Sequence, residues 1–324
     1  MRRAVIGLAM LLLLLISITG MRNANSLSQR CRSVSLRYRQ PLTTEAVSTA
    51  QQRQPGLIFW TQDSALLQTG LHQIQSNVLY YQGDAFLVLG QDCCSGELPA
   101  LLDTSGCAIS TALARELFGS EEVAGLSLLL EDSSFTVRGV FQSSELLVLI
   151  PRNDAGFTAV ELPYSEDARQ DPAAWVDVQL AASGLPEPDW QLYTGLCSAL
   201  VKILAWLPLT FAFVVLTFSA LHKLASWTFP ARDAVLFVVL LAVAAALPAL
   251  LAVWPSWFIP SRWSDFSWWG QTAQTLGQRL EAFLLAPGMG RDLAIKTGLL
   301  AQAGIGFLQC VLCELLRCTL RPNT

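Results

Sequence analysis

Two histidines, His72 and His222, are all that this 324-residue chain offers for proton transfer near neutral pH. Neither lies in an H-E-x-x-H pair that would hold zinc on one face of a helix. No G-x-S-x-G elbow is present to expose a nucleophilic serine. No G-x-x-x-x-G-K-[ST] loop is present to cradle a nucleotide's phosphates. His72, in "TGLHQIQ", reads as a surface residue, and the spans placed below put His222 on the other side of a membrane. The acidic residues show no spacing that singles out a catalytic pair. The chain therefore reads as a non-enzyme with no cofactor and no metal; an ATPase, if one is used, is a separate subunit.

The eight cysteines divide by position. Cys31, Cys93, Cys94 and Cys107 fall in a polar block, Cys197 opens an apolar run, and Cys310, Cys313 and Cys318 lie in or after another. "CVLC" is a C-x-x-C without other ligands nearby, and reads as apolar filler rather than a redox or metal site. In an oxidising compartment Cys93 or Cys94 can bridge Cys107, closing a loop of about a dozen residues worth about 3 kcal/mol. The alternative, that all stay reduced, is equally open.

What would position such residues is set by hydropathy. Hydrophobic residues make up 52% of the chain and charged ones 14%, against about 25% charged in ordinary soluble domains. Four runs approach the roughly 20 apolar residues that cross a bilayer: Ala4–Met21, Leu196–Leu221, Ala234–Trp254 and Leu293–Leu316. The last is the weakest, with Lys296, Gln302, Gln309 and Glu314 inside it. The first follows Arg2 and Arg3 and lacks a small-x-small cleavage site, so it reads as an anchor rather than a cleaved signal peptide. Lys202 and Glu314 lie near span ends and read as snorkelling charges. Pro208 and Pro248 are positions where spans two and three would kink.

Arg2, Arg3, Lys223, Arg232, Arg317 and Arg321 flank the spans on what would be one side, which reads as cytoplasmic. Arg22, Arg30, Arg32, Arg37 and Arg39 contradict that rule, and are expected against acidic lipid headgroups. The block between spans one and two, Asn23–Trp190, holds 20 acidic and 9 basic residues, a net of −11. Nucleic-acid binding wants a basic face and is excluded.

Residues 23–56 read as a polar connector, helical in part. "LIFWTQ", "SNVLYYQGD", "AFLVLGQD", "LLVLIP" and "FTAVELP" read as strands, and so does "WVDVQLAAS" by its alternation. Between them "CAIS" enters a short helix, "TALARELFG". Ser110 or Thr111 caps it, Leu113, Leu117 and Phe118 share its inner face, and Gly119 ends it. "LSLLLE" and "FTVRGVF" pair as a hairpin through "DSS", offering Leu128, Leu130 and Val137 to the core. Val140 joins them only if Gly139 sits in a bulge. Between spans three and four, residues 264–285 carry Phe266, Trp269, Ala273, Leu276, Leu280 and Phe283 at helical spacing. They read as an outer interfacial helix or one packed on the outer block.

The expected fold is thus an α+β extracytoplasmic domain, a mixed sheet with few helices, inserted between an N-terminal membrane helix and a three-helix membrane region. The segments are 1–22, 23–195 and 196–324.

The run from "CAISTALARELFGS" through Gly125-x-x-Leu128 to "FTVRGVF" resembles the periplasmic core domain of MacB-type ABC transporter permeases. The motif covers residues 57–142, and the order of spans matches that family's along the whole chain, with an FtsX-like permease region at the C-terminal end. The resemblance implies a plasma-membrane permease subunit that moves or extracts an amphiphile or peptide, or passes force from a cytoplasmic ATPase to the outer domain. It also implies partners: the ATPase, the bilayer and a second copy as a homodimer. The family's ATPase-docking segment, Arg-Glu-Ile-Gly-like, is missing from "HKLASWTFPARD", where Lys223, Trp227 and Arg232 are the residues placed to contact a partner. That departure sustains an alternative: a membrane-anchored binding or assembly protein that transports nothing.

Overall fold

The computed structural model describes residues 2–70, 72–153, 156–165, 171–206, 233–238, 240–241, 244, 266–286 and 290–320. The helices, in chain order, are α1 (Arg2–Arg30), α2 (Thr44–Arg53), α3 (Ala85–Leu89), α4 (Thr111–Phe118), α5 (Pro172–Ser183), α6 (Thr194–Trp206), α7 (Phe266–Leu285) and α8 (Gly290–Leu320). The strands are β1 (Ser33–Arg37), β2 (Ile58–Gln68), β3 (Gln73–Gln82), β4 (Cys93–Gly96), β5 (Gly106–Ser110), β6 (Ser127–Leu130), β7 (Ser133–Phe141), β8 (Leu147–Pro151), β9 (Ala159–Pro163) and β10 (Trp190–Tyr193). The chain divides into two units: residues 29–195 with 271–295, and residues 1–28 with 196–270 and 296–324.

In the first unit the strands make one mixed sheet in the order β10-β1-β9-β2-β3-β8-β5-β7-β4, and β6 pairs with both β7 and the far end of β2. That double pairing closes β2-β3-β8-β5-β7-β6 into a ring. Leu67 of β2 lies opposite Leu130 of β6, and both are buried there. The core inside the ring holds Leu67, Val78, Ile109, Leu113, Leu117, Leu128, Val137, Val140 and Val148. A second cluster packs Val34, Leu36, Phe59, Phe157 and Val160 under α2 and α5. A third gathers Ile58, Trp60, Tyr81, Phe141 and Leu149 beside α3.

Helix α4 follows its expected signals. The Ser110 hydroxyl accepts from the Leu113 N–H at 3.1 Å, and Gly119 turns left-handed with φ 71°. Leu113 and Leu117 are buried, whereas Phe118 is only half-buried against the same cluster. The hairpin turns one residue earlier than "DSS", with Leu130 opposite Ser133. The register of β7 against β5 slips between Val137 and Gly139, and this bulge turns Val140 into the core with Val137. A side chain at Gly139 would meet the Cys93 sulfur and the Glu97 carbonyl at 2.5 Å.

Three sequence expectations are corrected here. "WVDVQLAAS" is the helix α5, in which Asp171 caps the N–H groups of Ala173 and Ala174, Pro172 pre-sets the first turn and Gly184 ends it at φ 75°. These end signals override a two-residue alternation, and Val178 is 63% exposed. "AFLVLGQD" is likewise helical, as α3, between the Asp84 cap and Gly90 at φ 72°. Residues 23–56 are helical in part, as α1 to Arg30 and α2, but they are no mere connector: β1 lies inside the sheet with all five residues buried.

In the second unit, among the described residues, two helices are long and apolar enough to cross a membrane, Gly7–Arg30 and Arg291–Leu316, by length and composition. The second starts in the first unit, which extends to Ile295. Gln302 and Gln309, which weaken it as a span by hydropathy, are 0% and 1% exposed. They meet α1: the Asn23 amide donates to Gln302 Oε1 at 3.0 Å, and Gln309 Nε2 donates to the Ser17 hydroxyl at 3.0 Å. Between these bonds the helices close up at glycine, where a Cβ on Gly20 would lie 3.0 Å from Ile305. Of span two, residues up to Trp206 are helical, and the rest lies outside the described residues. Of span three, only residues 234–238, 240–241 and 244 are described, and they are helical.

Candidate functional site

The sequence of β1, Ser-Val-Ser-Leu-Arg, alternates with a period of two. Val34 and Leu36 enter an apolar cluster on one face. Ser33, Ser35 and Arg37 share the other face, and all are buried. Opposite Ser35, on β9, stands Glu161 with 0% exposure. On the far side of β9, Ile58 of β2 pairs with Glu161, and Trp60 comes two residues later on the same face. The first turn of α8 brings Arg291 and Asp292 to this face, where they too are buried.

Glu161 is the hub. Its Oε1 accepts from Arg291 Nη2 at 2.7 Å, from the Ser35 hydroxyl at 2.7 Å and from Trp60 Nε1 at 2.9 Å. Its Oε2 accepts from the Ser33 hydroxyl at 2.5 Å. Arg37 Nη2 lies 3.9 Å from Glu161 and donates to both oxygens of Asp292, at 3.1 and 3.3 Å. The Arg37 guanidinium sits over the Trp60 ring, 4.3 Å from its centroid. Arg291 also donates to the Leu87 carbonyl of α3 at 2.6 Å. Two guanidinium groups and two carboxylates cancel in charge, as a set of ions this deep must.

Burial alone would push the Glu161 carboxyl up, but Arg291, Arg37 and the two serine hydroxyls together hold it below its ordinary value. For Arg37, burial outweighs its two carboxylate partners, Asp292 and Glu161, and the pKa falls below its ordinary value. A carboxylate held this firmly ionised, with its lone pairs taken by fixed donors, is a poor general base. The arrangement works instead as a clamp. It fastens the strand that follows α1 and the first turn of α8 to the same point of the sheet.

Sequence reasoning missed all four members. Arg37 was expected at lipid headgroups and is buried. Its neighbours are also engaged by protein: Arg32 lies over Phe86, and Arg39 pairs with Asp189 at 3.5 Å and covers Trp190. The available signal was the two-residue alternation of Ser33, Ser35 and Arg37, and the lone acid in the apolar run "AVELP". The cysteine bridge is also corrected. Cys93, Cys94 and Cys107 are free. Strand β7 lies between β4 and β5, with Cys107 opposite Val137 and Cys93 opposite Phe141. Two ladder spacings of about 4.8 Å, plus the offset along β7, exceed the roughly 7 Å that a disulfide spans. Lys223, Trp227 and Arg232 lie outside the described residues. Among the described residues no group of His, Cys, Asp and Glu is placed to hold a metal ion.

Fold and site define a class: an α+β domain whose chain is continuous with helices long enough to cross a membrane. No protein-family model matches the chain, and no curated protein matches it. Among solved structures it is similar to the periplasmic region of MacB from Actinobacillus actinomycetemcomitans. That match has 14% identity and a TM-score of 0.43, and covers 53% of this chain and 92% of that one. It is similar also to the extracellular domain of the noncanonic ABC-type transporter YknZ from Gram-positive bacteria, with 14% identity, a TM-score of 0.37, and 48% and 96% coverage. A domain of a putative permease protein from Porphyromonas gingivalis matches at 19% identity and a TM-score of 0.34, covering 49% and 81%.

Proposed function

We propose that this chain is the membrane permease-like subunit of a MacB-type ABC system, with the α+β unit outside the cell membrane and a separate ATPase inside. It would move or extract an amphiphile or peptide, or pass force from the ATPase to the outer domain. The observation that carries the reading is the clamp of Arg37, Glu161, Arg291 and Asp292. Its ion pairs tie the first turn of α8 directly to β9 and β1, which is where a force passed along α8 would enter the domain in this reading. The motif that resembles the family supports the same reading from the opposite end of the domain.

The direct test is purification of the tagged chain from its host in mild detergent, with ATP hydrolysis measured on the product. Co-purification of an ATPase whose turnover falls in the Asp292→Ala chain supports the proposal. Repeated recovery of the chain with no ATPase moves the assignment to an anchored binding or assembly protein, the reading that the absent docking segment favours. Labelling of a cysteine introduced at Asp132 in intact cells tests the outer placement.

A further inference from the structure

A half-open cavity of about 50 Å³ lies beside α2. Val47, Ser48 and Gln51, at helical spacing, form one wall. Gln82 at the end of β3, Asn153 and Phe157 line the rest. A water needs roughly 10–15 Å³ of such space, so the cavity holds about three waters or one small group of similar bulk. No charged side chain lines it among the described residues. A phosphate, carboxylate or ammonium would lose its water there without a counter-charge, which excludes an ionic ligand. Val47 and Phe157 are buried and give the cavity an apolar surface.

The polar side is a pair of amides. Gln82 Nε2 donates to Gln51 Oε1 at 3.0 Å. Gln82 Oε1 is buried and accepts from nothing, a state in which few buried oxygens are left. The pair therefore offers one carbonyl oxygen and one NH2 group to a third party. Turning both amides over exchanges the owners of these groups and leaves the offer unchanged. The Ser48 hydroxyl already donates to the Glu45 carbonyl of its own helix at 3.0 Å, so it is left to accept.

A ligand that fits must be uncharged, donate one hydrogen bond, accept another within a few atoms, and end in an apolar group. An N-acetyl group meets all four demands. Its N–H faces Gln82 Oε1, its carbonyl oxygen faces the amide of Gln51 or Asn153, and its methyl lies on Val47 and Phe157. Water satisfies the amides and leaves the apolar surface uncovered. A sugar hydroxyl or a primary amide lacks the methyl. Such a division, apolar surface for affinity and a few polar groups for orientation, is usual in small-molecule sites.

We propose that the cavity beside α2 is a subsite for an N-acetyl group, carried by an acetylated amino sugar or by an acetylated peptide end. It lies wholly within the α+β unit, so it does not depend on whether the chain transports.

The experiment is saturation-transfer NMR on the full-length chain in detergent, with N-acetylglucosamine, glucosamine and N-acetylalanine amide as separate probes. Transfer should centre on the acetyl methyl, and glucosamine should show none. Transfer to N-acetylglucosamine alone assigns the group to an amino sugar, and transfer to N-acetylalanine amide alone assigns it to a peptide end. Ser48→Trp, at an exposed position, fills the cavity from its open side and should abolish the signal. Gln82→Leu removes the unpaired acceptor and should weaken binding at least fivefold. Thr49→Trp, exposed on another side of α2, should change nothing. Three results would each overturn the proposal: no transfer to either acetylated probe, which leaves the cavity to water; equal transfer to glucosamine; or undiminished transfer in Ser48→Trp.

Discussion

The Arg37 guanidinium lies 3.1 Å from the Asp292 carboxylate, across 255 positions of sequence, and neither side chain is more than 4% exposed. Arg37 is the last residue of the strand that follows α1, and Asp292 belongs to the first turn of α8. Their pairing joins β1 to the first turn of α8 within the α+β unit.

Breaking this pair should be costly. Asp292→Ala leaves the Arg37 charge buried with a single distant carboxylate, which in buried pairs costs about 3–5 kcal/mol. Replacing Arg37, Glu161, Arg291 and Asp292 together by apolar residues of similar volume should cost far less, because no ion is then stranded. Melting temperatures of the full-length chain in detergent compare the two. An Asp292→Ala chain as stable as wild type would show that the clamp does not hold this part of the fold together.

The clamp sets an acid limit. The folded Glu161 carboxyl titrates below its ordinary value of 4.5. Its contribution is therefore complete above that value and is lost as the pH falls through the lower, folded one. A melting series from pH 7 down to pH 3 should show the loss, and Glu161→Gln should flatten that part of the curve while lowering the plateau.

The α1–α8 seam offers a separate test. Gly20→Leu places carbon where Ile305 and the Gln302 amide already stand, at 3.0 and 3.3 Å from the first added atom. It should weaken helix association more than Gln309→Leu, whose lost hydrogen bond is worth about 0.6 kcal/mol within membranes. Resistance of the two chains to thermal aggregation in detergent ranks them, and the reverse order would refute the seam.

In the ring core, Leu113→Ala should destabilise by about 2–5 kcal/mol. Phe118→Ala should cost less, since part of that ring is already in water, and Glu116→Ala on the exposed face should stay within about 0.5 kcal/mol. Urea unfolding followed by tryptophan fluorescence measures all three.

The cysteines should react in order of exposure. Burial pushes the Cys107 thiol up to about 12 and the Cys93 thiol up to about 11. Cys94 is exposed. Iodoacetamide at pH 8 should modify Cys94 first and reach Cys107 only after unfolding. A Cys93–Cys107 or Cys94–Cys107 peptide pair in a non-reduced digest would contradict the strand order.

What the sequence alone determined is what depends on neighbours in the chain. Ser110 and Gly119 bound a helix because cap bonds join residues a few positions apart. The β6–β7 hairpin and the Gly139 bulge are likewise local, and the apolar lengths of α1 and α8 are a sum over one segment. Even here local signals competed: Val176, Val178 and Leu180 alternate like a strand, yet Asp171, Pro172 and Gly184 make the segment a helix. Only the tertiary structure decided the rest. The ring closes because β6 meets β2, some sixty residues away at Leu67 and Leu130. Arg37, Glu161, Arg291 and Asp292 become a site only when β1, β9 and α8 are brought together. In isolation each is an ordinary charge that water would hold. Burial removes the water, and the need to cancel four charges at once is a property of the place and of no single stretch of sequence.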